Sequence, residues 1–254
     1  MFDEYFSNCR AAVDIAKGEQ IYISYINPMQ TTASRRAELK EGWNFVCNCD
    51  RCRSQNELGA FSSAVKCQKC SEGYLLPKND LKMVCNSCSS YDELSVAEED
   101  LEQRWQDCDR SSDEDMLQIL QDCKTGLHPN HALATQIRSW LIPTICRKGR
   151  SHLSDFPISR FITKLELCRD HLKVLNIILP GLTLERGRTL FELQEAKYFI
   201  ARSDESLTEM QMAKVVRESV CLLQEAGKCF NDESERTIER FFQDSIAISL
   251  EAMA

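Results

Sequence analysis

Four cysteines in the first half of the chain have the spacing of ligands to one metal ion. Cys67 and Cys70 form one Cys-x2-Cys pair, and Cys85 and Cys88 form a second pair further along the chain. Two residues between cysteines allow a tight turn to aim both sulfurs at one point, and two such turns complete a tetrahedron around Zn²⁺. Since an all-sulfur set leaves no position for water, we predict a structural zinc site. The alternatives are two redox dithiols or free thiols, and the redox alternative lacks the βαβ context of such motifs.

A second cluster places Cys47, Cys49 and Cys52 within six residues. Three thiolates do not close a structural zinc site, which needs four ligands. A fourth ligand would come from elsewhere in the fold or from a partner, and Cys9 is the nearest upstream candidate. The spacing predicts metal binding here and leaves open the alternative of a cysteine-rich turn without metal.

The remaining cysteines are scattered singly and are predicted to be small core residues; they are Cys9, Cys108, Cys123, Cys146, Cys168, Cys221 and Cys229. The first residues carry acidic side chains where a signal peptide carries basic ones, and no apolar run is long enough for a membrane helix. We therefore expect a cytoplasmic or nuclear protein, in which 14 cysteines are thiols or metal ligands rather than disulfides.

Charge restricts the partners that this chain would bind. The net charge is −8. Binding to nucleic acid or to an anionic membrane requires an excess of basic residues, so neither is expected as a direct partner. The hydrophobic fraction of 43% is sufficient for a packed core. A protein substrate or a peptide is the expected partner.

The elements that position the cysteines differ along the chain. Residues 10–26 predict two short strands around a turn at Gly18, with Ile21, Ile23 and Tyr25 on one face. Thr31 or Thr32 is predicted to cap a short helix over 34–40 that stops at Gly42. The segment 47–90 shows little apolar periodicity, so metal is its expected source of stability.

From residue 92 onward the apolar residues recur at helical spacing. Leu133, Ile137, Trp140 and Leu141 are predicted to form the buried face of a helix capped by Asn130. The acidic run 111–115 is predicted to begin a helix, and the four histidines, which lack ligand spacing, are assigned turn or packing roles. Short loops predict antiparallel neighbours for the later helices, expected over 158–179, 184–201, 207–230 and 234–252. The fold class is therefore α+β, mainly α.

Several of these segments resemble SET–MYND proteins. Residues 18–25 resemble the closing strand of a SET domain, and residues 43–52 resemble the post-SET Cys-x-Cys-x2-Cys. The two later cysteine pairs resemble the extra zinc segment of the arthropod SmydA group, and the helical region is similar to that family's TPR-like C-terminal domain. The resemblance divides the chain into a SET end (1–42), a post-SET cluster (43–56), a zinc segment (57–91) and a helical domain (92–254).

The resemblance implies a protein-lysine N-methyltransferase that uses S-adenosylmethionine. Tyr25 matches the family's catalytic tyrosine, whose hydroxyl orients the reacting amine or methyl group. Phe45 matches an aromatic residue that packs on the adenine of the cofactor. Trp43 stands where many relatives carry a tyrosine, which implies an altered substrate channel.

One family motif, Asn-His-x-Cys, does not occur upstream of Gly18 in this sequence. In the family it holds the cofactor and supplies the fourth ligand beside Cys47, Cys49 and Cys52. We therefore expect a fragment, short isoform or degenerate copy that is inactive alone, without measurable cofactor binding. The alternative function is a non-catalytic zinc-containing module that binds peptides through its helical domain. A zinc-ribbon regulator of nucleic acid is disfavoured by the acidic charge.

Overall fold

A computed structural model describes residues 10–70, 72–79, 82–92, 96–146 and 156–230. The chain is mainly helical with one small antiparallel sheet, which confirms the predicted α+β class. In chain order the elements are α1 (Thr32–Trp43), α2 (Asp50–Arg53), a 3-10 turn (Glu57–Gly59), β1 (Val65–Lys66), β2 (Tyr74–Asn79), β3 (Lys82–Cys85), β4 (Tyr91–Asp92), α3 (Val96–Asp107), α4 (Asp113–Gly126), α5 (Ala132–Leu141), α6 (Ile158–Ile178), α7 (Leu184–Arg202) and α8 (Glu209–Cys229).

Residues 10–31 form no strand, so the prediction of two strands over residues 10–26 is wrong. The predicted turn is present, with Gly18 at φ +91° and the Glu19 amide donating to the Ala16 carbonyl at 3.0 Å. Ile21 and Ile23 are 77% and 67% exposed. Alternating apolar residues form a strand only when a neighbouring strand satisfies the backbone groups, and no described residue pairs with this segment.

Helix α1 begins where its predicted cap lies. The Thr31 hydroxyl accepts a hydrogen bond from the Ser34 amide at 3.1 Å, as Ser and Thr caps commonly do. The helix ends at Trp43, and Asn44 adopts a left-handed conformation with φ 61°. Its buried residues are Thr32, Arg35 and Leu39, and the Arg35 guanidinium contacts Cys52, so α1 packs against the cysteine-rich segment.

The sheet lies within the cysteine-rich segment, where the sequence predicted little regular structure. Its strands are antiparallel in the order β1-β2-β3-β4, with Val65 opposite Leu75 and Leu76 opposite Val84. The pairing shifts register between Pro77 and Asn79, consistent with proline's lack of an amide donor. These strands are two to six residues long, too short for periodicity to predict them.

The described helices of the later region lie where they were predicted, and the predicted helix over 234–252 lies outside the described residues. Two details of α5 differ from the prediction. His131, rather than Asn130, caps α5: its Nδ1 accepts from the Leu133 amide at 3.2 Å. Trp140 is 52% exposed and therefore not on the buried face of α5, although Leu133, Ile137 and Leu141 are buried. No described helix is both long and apolar enough to cross a membrane.

Ion pairs show that α6, α7 and α8 are antiparallel. Lys164 and His171, successive on α6, approach Glu195 and Glu185 in reverse order on α7. In the same way, α7 and α8 are joined by Arg186 to Glu225 and by Lys197 to Glu218. The predicted antiparallel packing of these helices is thus confirmed.

One hydrophobic core joins the cysteine-rich segment to the helices. Cys67 and Cys85 belong to the same buried cluster as Leu127 and Ile137. Val65 of β1 also makes a β-bridge with Leu127 at the end of α4. The prediction of core positions is confirmed for Cys123, Cys146, Cys168 and Cys229, is wrong for the exposed Cys221, and for Cys9 lies outside the described residues; Cys108 is partly buried.

The predicted roles of the other polar features are also visible. The Ser112 hydroxyl accepts from the Asp115 amide at 3.1 Å, so the acidic run begins α4 as predicted. His128 stacks on Phe61 with ring centroids 4.5 Å apart, and burial and nearby positive charge lower its pKa to about 4. This histidine is therefore a neutral packing residue. His152 lies outside the described residues.

Candidate metal centres

The four predicted ligands of the later pairs converge. The sulfur atoms of Cys67, Cys70, Cys85 and Cys88 all lie within 4.8 Å of one another. The Cys67 and Cys88 sulfurs are 3.8 Å apart, and the Cys70 and Cys85 sulfurs are 3.6 Å apart. A tetrahedron with Zn–S bonds of about 2.3 Å has sulfurs roughly 3.8 Å apart. The cluster is therefore compatible with zinc binding.

Backbone amides at each turn hold the sulfurs in place. The Lys69 amide donates to the Cys67 sulfur at 3.4 Å, and the amides of Ser87 and Cys88 donate to the Cys85 sulfur at 3.4 Å. Such hydrogen bonds orient metal ligands and stabilise their thiolate form. The β2–β3 hairpin brings the second turn beside the first because Cys85 ends β3 and the Cys67 amide donates to the Gly73 carbonyl just before β2.

The electrostatics of the cluster favour a cation. Burial opposes ionisation of Cys67, but hydrogen bonds from the Ser90 hydroxyl and the Lys69 amide lower its pKa to about 6. Ser90 also lowers the pKa of Cys88. Burial and then contact with the neighbouring thiols raise the pKa of Cys70. Cys67 and Cys88 are thus disposed to ionise while Cys70 keeps its proton, and binding of a metal ion by all four sulfurs would release the protons that remain.

The first cysteine cluster also brings its three predicted ligands together. The sulfurs of Cys47, Cys49 and Cys52 lie within 4.8 Å of one another. The Arg35 guanidinium donates to the buried Cys52 sulfur at 3.3 Å. In the part of the chain that the structure describes, no fourth Cys, His, Asp or Glu joins this group. Cys9, the candidate fourth ligand, lies outside that part.

Protonation differs within the three-cysteine group. Burial raises the pKa of Cys52 to about 12, although the positive charge of Arg35 opposes this. Burial also opposes ionisation of Cys49, but hydrogen bonds from the Cys52 amide and its neighbouring thiols lower its pKa. The group is compatible with zinc binding by three thiolates, and it leaves one coordination position for a ligand outside the group.

Helix α1 fixes this cysteine loop through a second arginine. The Arg36 guanidinium donates to the Cys52 carbonyl at 3.0 Å and to the Cys47 carbonyl at 3.4 Å. Both Arg35 and Arg36 are therefore part of the cysteine site, and the sequence analysis missed them. The signal that could have identified them is their one-turn spacing from Thr32 and Leu39 on the face that packs against the loop.

Three exposed aromatic residues cluster beside the three-cysteine group. The Tyr25 ring contacts Trp43 and Phe45 edge to face, with centroids 4.9 and 5.9 Å apart. The left-handed turn at Asn44 places Trp43 and Phe45 on the same side. Tyr25 and Phe45 are 49% and 39% exposed, so both rings are accessible. The predicted catalytic and cofactor-binding residues therefore lie together, and their roles remain predictions.

Two residues missed by the sequence analysis complete the four-cysteine cluster. The Ser90 hydroxyl lies within hydrogen-bond distance of the Cys88 and Cys67 sulfurs, at 3.0 and 3.5 Å. Gly73 lies so close to the cluster that a Cβ there would overlap the Cys85 sulfur and come within 2.9 Å of the Cys70 sulfur. A serine two residues after the last cysteine and a glycine three residues after Cys70 are the available sequence signals.

Fold and site together define a mainly helical protein with a cysteine-rich, metal-binding segment. Part of its sequence is similar to histone-lysine N-methyltransferases, which are SET-domain proteins. Histone-lysine N-methyltransferase SET5 of Saccharomyces cerevisiae is 49% identical over 55 residues, 22% of this chain and 10% of that protein. SET5 of Candida glabrata is 46% identical over 44 residues, 17% of this chain and 8% of that protein.

A plant relative extends the similarity. Histone-lysine N-methyltransferase ASHR1 of Arabidopsis thaliana is 34% identical over 96 residues, 35% of this chain and 20% of that protein. The chain thus spans about a tenth of the length of SET5 of Saccharomyces cerevisiae and about a fifth of the length of ASHR1. No family model matches the chain.

Proposed function

We propose that this chain carries part of the active site of a SET–MYND-type protein-lysine methyltransferase. The observation that carries the proposal is the contact of Tyr25 with Trp43 and Phe45 directly before the three-cysteine loop. Partial similarity to histone-lysine N-methyltransferases supports the reaction class. The methyl donor is S-adenosylmethionine, as the resemblance implies.

The exposed aromatic faces suit the roles proposed for them. S-adenosylmethionine would supply an electrophilic methyl group to a neutral lysine amine, whose nitrogen would form the new N–C bond as the sulfonium S–C bond breaks and the thioether leaves. Phe45 would pack on its adenine, and the Tyr25 hydroxyl would orient the amine for in-line attack. Because such a reaction depends mainly on positioning, the arginines of α1 act indirectly: they fix the loop that holds Phe45. Trp43 would narrow the lysine channel beside Tyr25.

We further propose that Zn²⁺ occupies both cysteine clusters. At Cys67, Cys70, Cys85 and Cys88 it would be structural, joining the hairpin to the core. At Cys47, Cys49 and Cys52 a fourth ligand from outside the group would complete the tetrahedron. Metal analysis after dialysis should find about one tightly held zinc ion per chain and a second that is easily lost.

Removal of the Tyr25 hydroxyl group tests the proposed methyl transfer. In the complete protein that contains these residues, we expect Tyr25→Phe to lower the transfer of labelled methyl groups from S-adenosylmethionine to histones about tenfold or more, since one positioned hydroxyl is lost. The matched control is Tyr22→Phe, which removes a hydroxyl from a ring that is 79% exposed on the same segment. Equal rates for the two variants, or no transfer by the unmodified protein to any protein substrate, would refute the proposal.

A further inference from the structure

A cavity of about 380 Å³ lies between the first turn of α1, the β2–β3 hairpin and α3. Its volume lies within the range of ligand pockets, roughly 300–1,000 Å³. Cys52 lines it, whereas Tyr25, Trp43 and Phe45 do not. The cavity is therefore separate from the aromatic cluster, although the cysteine loop borders both.

The floor of the cavity is apolar. Val65 and Leu75, paired across β1 and β2, are both 2% exposed, and Pro77 and Met83 extend the same surface along the hairpin. This surface can cover a chain of methylene groups. Lysine and arginine commonly bury their aliphatic stems on such surfaces while the charged end stays in a polar environment. A ligand with a flexible aliphatic part fits this floor.

One wall of the cavity is acidic. Glu98, Glu99 and Glu102 project from the first two turns of α3. Glu98 lies 3.2 Å from His131, while no ion pair joins Glu99 or Glu102 to another described residue. Burial, followed by the charge of Glu98, raises the pKa of Glu102. The wall therefore has negative charge that the described residues do not neutralise.

Basic residues also line the cavity, and among the described residues no ion pair joins its two hairpin lysines, Lys78 and Lys82, to the glutamates of α3. Lys78 lies over the Tyr91 ring, 5.4 Å from its centroid, and Lys82 is exposed. The other two cations are engaged elsewhere: Arg36 binds the cysteine loop and Arg53 pairs with Asp50. A ligand that presents a cation to α3 and carbonyl or carboxylate oxygens to the hairpin would match both sides.

We propose that this cavity binds a lysine or arginine side chain of a partner peptide. The aliphatic stem would lie on Val65, Leu75 and Met83, and the charged end would face Glu99 and Glu102. The two hairpin lysines would face the backbone carbonyls or an acidic residue of the same peptide. This site goes beyond methyl transfer: it would dock a basic protein segment away from Tyr25.

A cavity-filling pair of variants tests the location. The probe is a fluorescein-labelled peptide of three lysines separated by alanines, and its binding to the zinc-loaded protein is measured by fluorescence anisotropy. Ala33 is exposed on the first turn of α1 and lines the cavity; Ala37, one turn later, is exposed and does not. We expect Ala33→Trp to weaken binding at least tenfold and Ala37→Trp to leave it within about twofold.

A second pair of variants tests the charge. Glu99→Gln combined with Glu102→Gln should weaken binding roughly tenfold. Asp100→Asn combined with Asp107→Asn removes the same charge from α3 at positions that do not line the cavity, and it should change binding less than threefold. Zinc content and circular dichroism identify any variant that has not folded.

These measurements distinguish binding of the peptide in the cavity from a general response to the charge of the protein. A peptide with glutamate in place of lysine should not bind. Equal weakening by the two charge pairs would show that the peptide responds only to the net charge of the protein, and it would overturn the proposal. Equal binding by the two tryptophan variants would also overturn it. Because no variant changes Tyr25 or Phe45, failure here leaves the methyl-transfer proposal intact.

Discussion

A single missing side chain decides the geometry of the four-cysteine cluster. Gly73 has a φ that other residues adopt, so its conformation does not require glycine; its surroundings do. A Cβ at this position would overlap the Cys85 sulfur, and the Ser87 Cβ lies 3.0 Å from the same point. Since the Cys85 sulfur is held by the amides of Ser87 and Cys88, it cannot move aside without losing those hydrogen bonds.

Gly73→Ala should therefore release zinc from the four-cysteine cluster while the helices stay folded. We expect the tightly held zinc ion to be lost to a chelator at a concentration that the unmodified protein withstands, measured by elemental analysis after dialysis. Gly42→Ala is the control, since Gly42 lies in α1 with open space around its Cβ position. Equal zinc retention by both variants would contradict the importance of this close approach.

At the residue scale, local spacing predicted the ligands and tertiary structure decided their surroundings. A Cys-x2-Cys turn fixes two sulfurs by itself, so Cys67, Cys70, Cys85 and Cys88 could be assigned without a fold. Ser90 acts through its position beside two sulfurs from different turns, and that position depends on the β2–β3 pairing. The roles assigned to Tyr25 and Phe45 came from family resemblance alone, and their contact with each other depends on the turn at Asn44.

At the element scale, long helices were predictable and short strands were not. The helices α6, α7 and α8 each contain about twenty residues, so their apolar period was visible several times over. A strand depends on its partner as well as its own pattern. Residues 10–26 have the alternation without a partner among the described residues, whereas β1 and β4 have partners and only two residues each.

The ion cluster between α6 and α7 supports a prediction about stability. Lys164 is fully buried and lies 2.5 Å from Glu192 and 2.6 Å from Glu195. Lys164→Met should cost about 3–5 kcal/mol in urea unfolding, because it leaves buried carboxylates without their cation. Lys173→Met on the same helix, where the pair with Asp170 is exposed, should cost at most about 1 kcal/mol. Similar losses for both variants would contradict this assignment.

A neighbouring carboxylate predicts a dependence on pH. Burial opposes ionisation of Glu185, but hydrogen bonds with His171 and Ser139 lower its pKa below the ordinary value of 4.5. A lowered folded-state pKa stabilises the protein above pH 4.5, and this contribution disappears as the pH falls through the folded-state value. The excess stability of the unmodified protein over Glu185→Gln should therefore shrink between pH 6 and pH 3.5 in urea titrations. A difference that does not change with pH would refute this.

At the scale of the whole molecule, the first described residues are attached to the last helices. The Arg10 guanidinium donates to the Cys229 carbonyl at 2.7 Å and to the Lys228 carbonyl at 3.1 Å, at the end of α8. The Leu182 amide, between α6 and α7, donates to the Ala12 carbonyl at 2.7 Å. A cation that binds the free carbonyls of a helix end is favoured by the helix dipole. The segment that leads to Tyr25 is thus anchored on the helical domain, which the sequence could not show because the contacts span most of the chain.

The anchor depends on Gly181. Its φ is +79°, and a Cβ there would overlap the Ala12 carbonyl. Gly181→Ala should therefore displace residues 10–13, speed tryptic cleavage at Arg10 and Lys17 several-fold, and leave the helical circular dichroism unchanged. Gly59→Ala separates backbone strain from the lost contact, because Gly59 has φ +88° and open space around it. If cleavage at Lys17 rose equally in both variants, strain alone would account for it. A rise confined to Gly181→Ala would show that α6, α7 and α8 hold the segment carrying Tyr25.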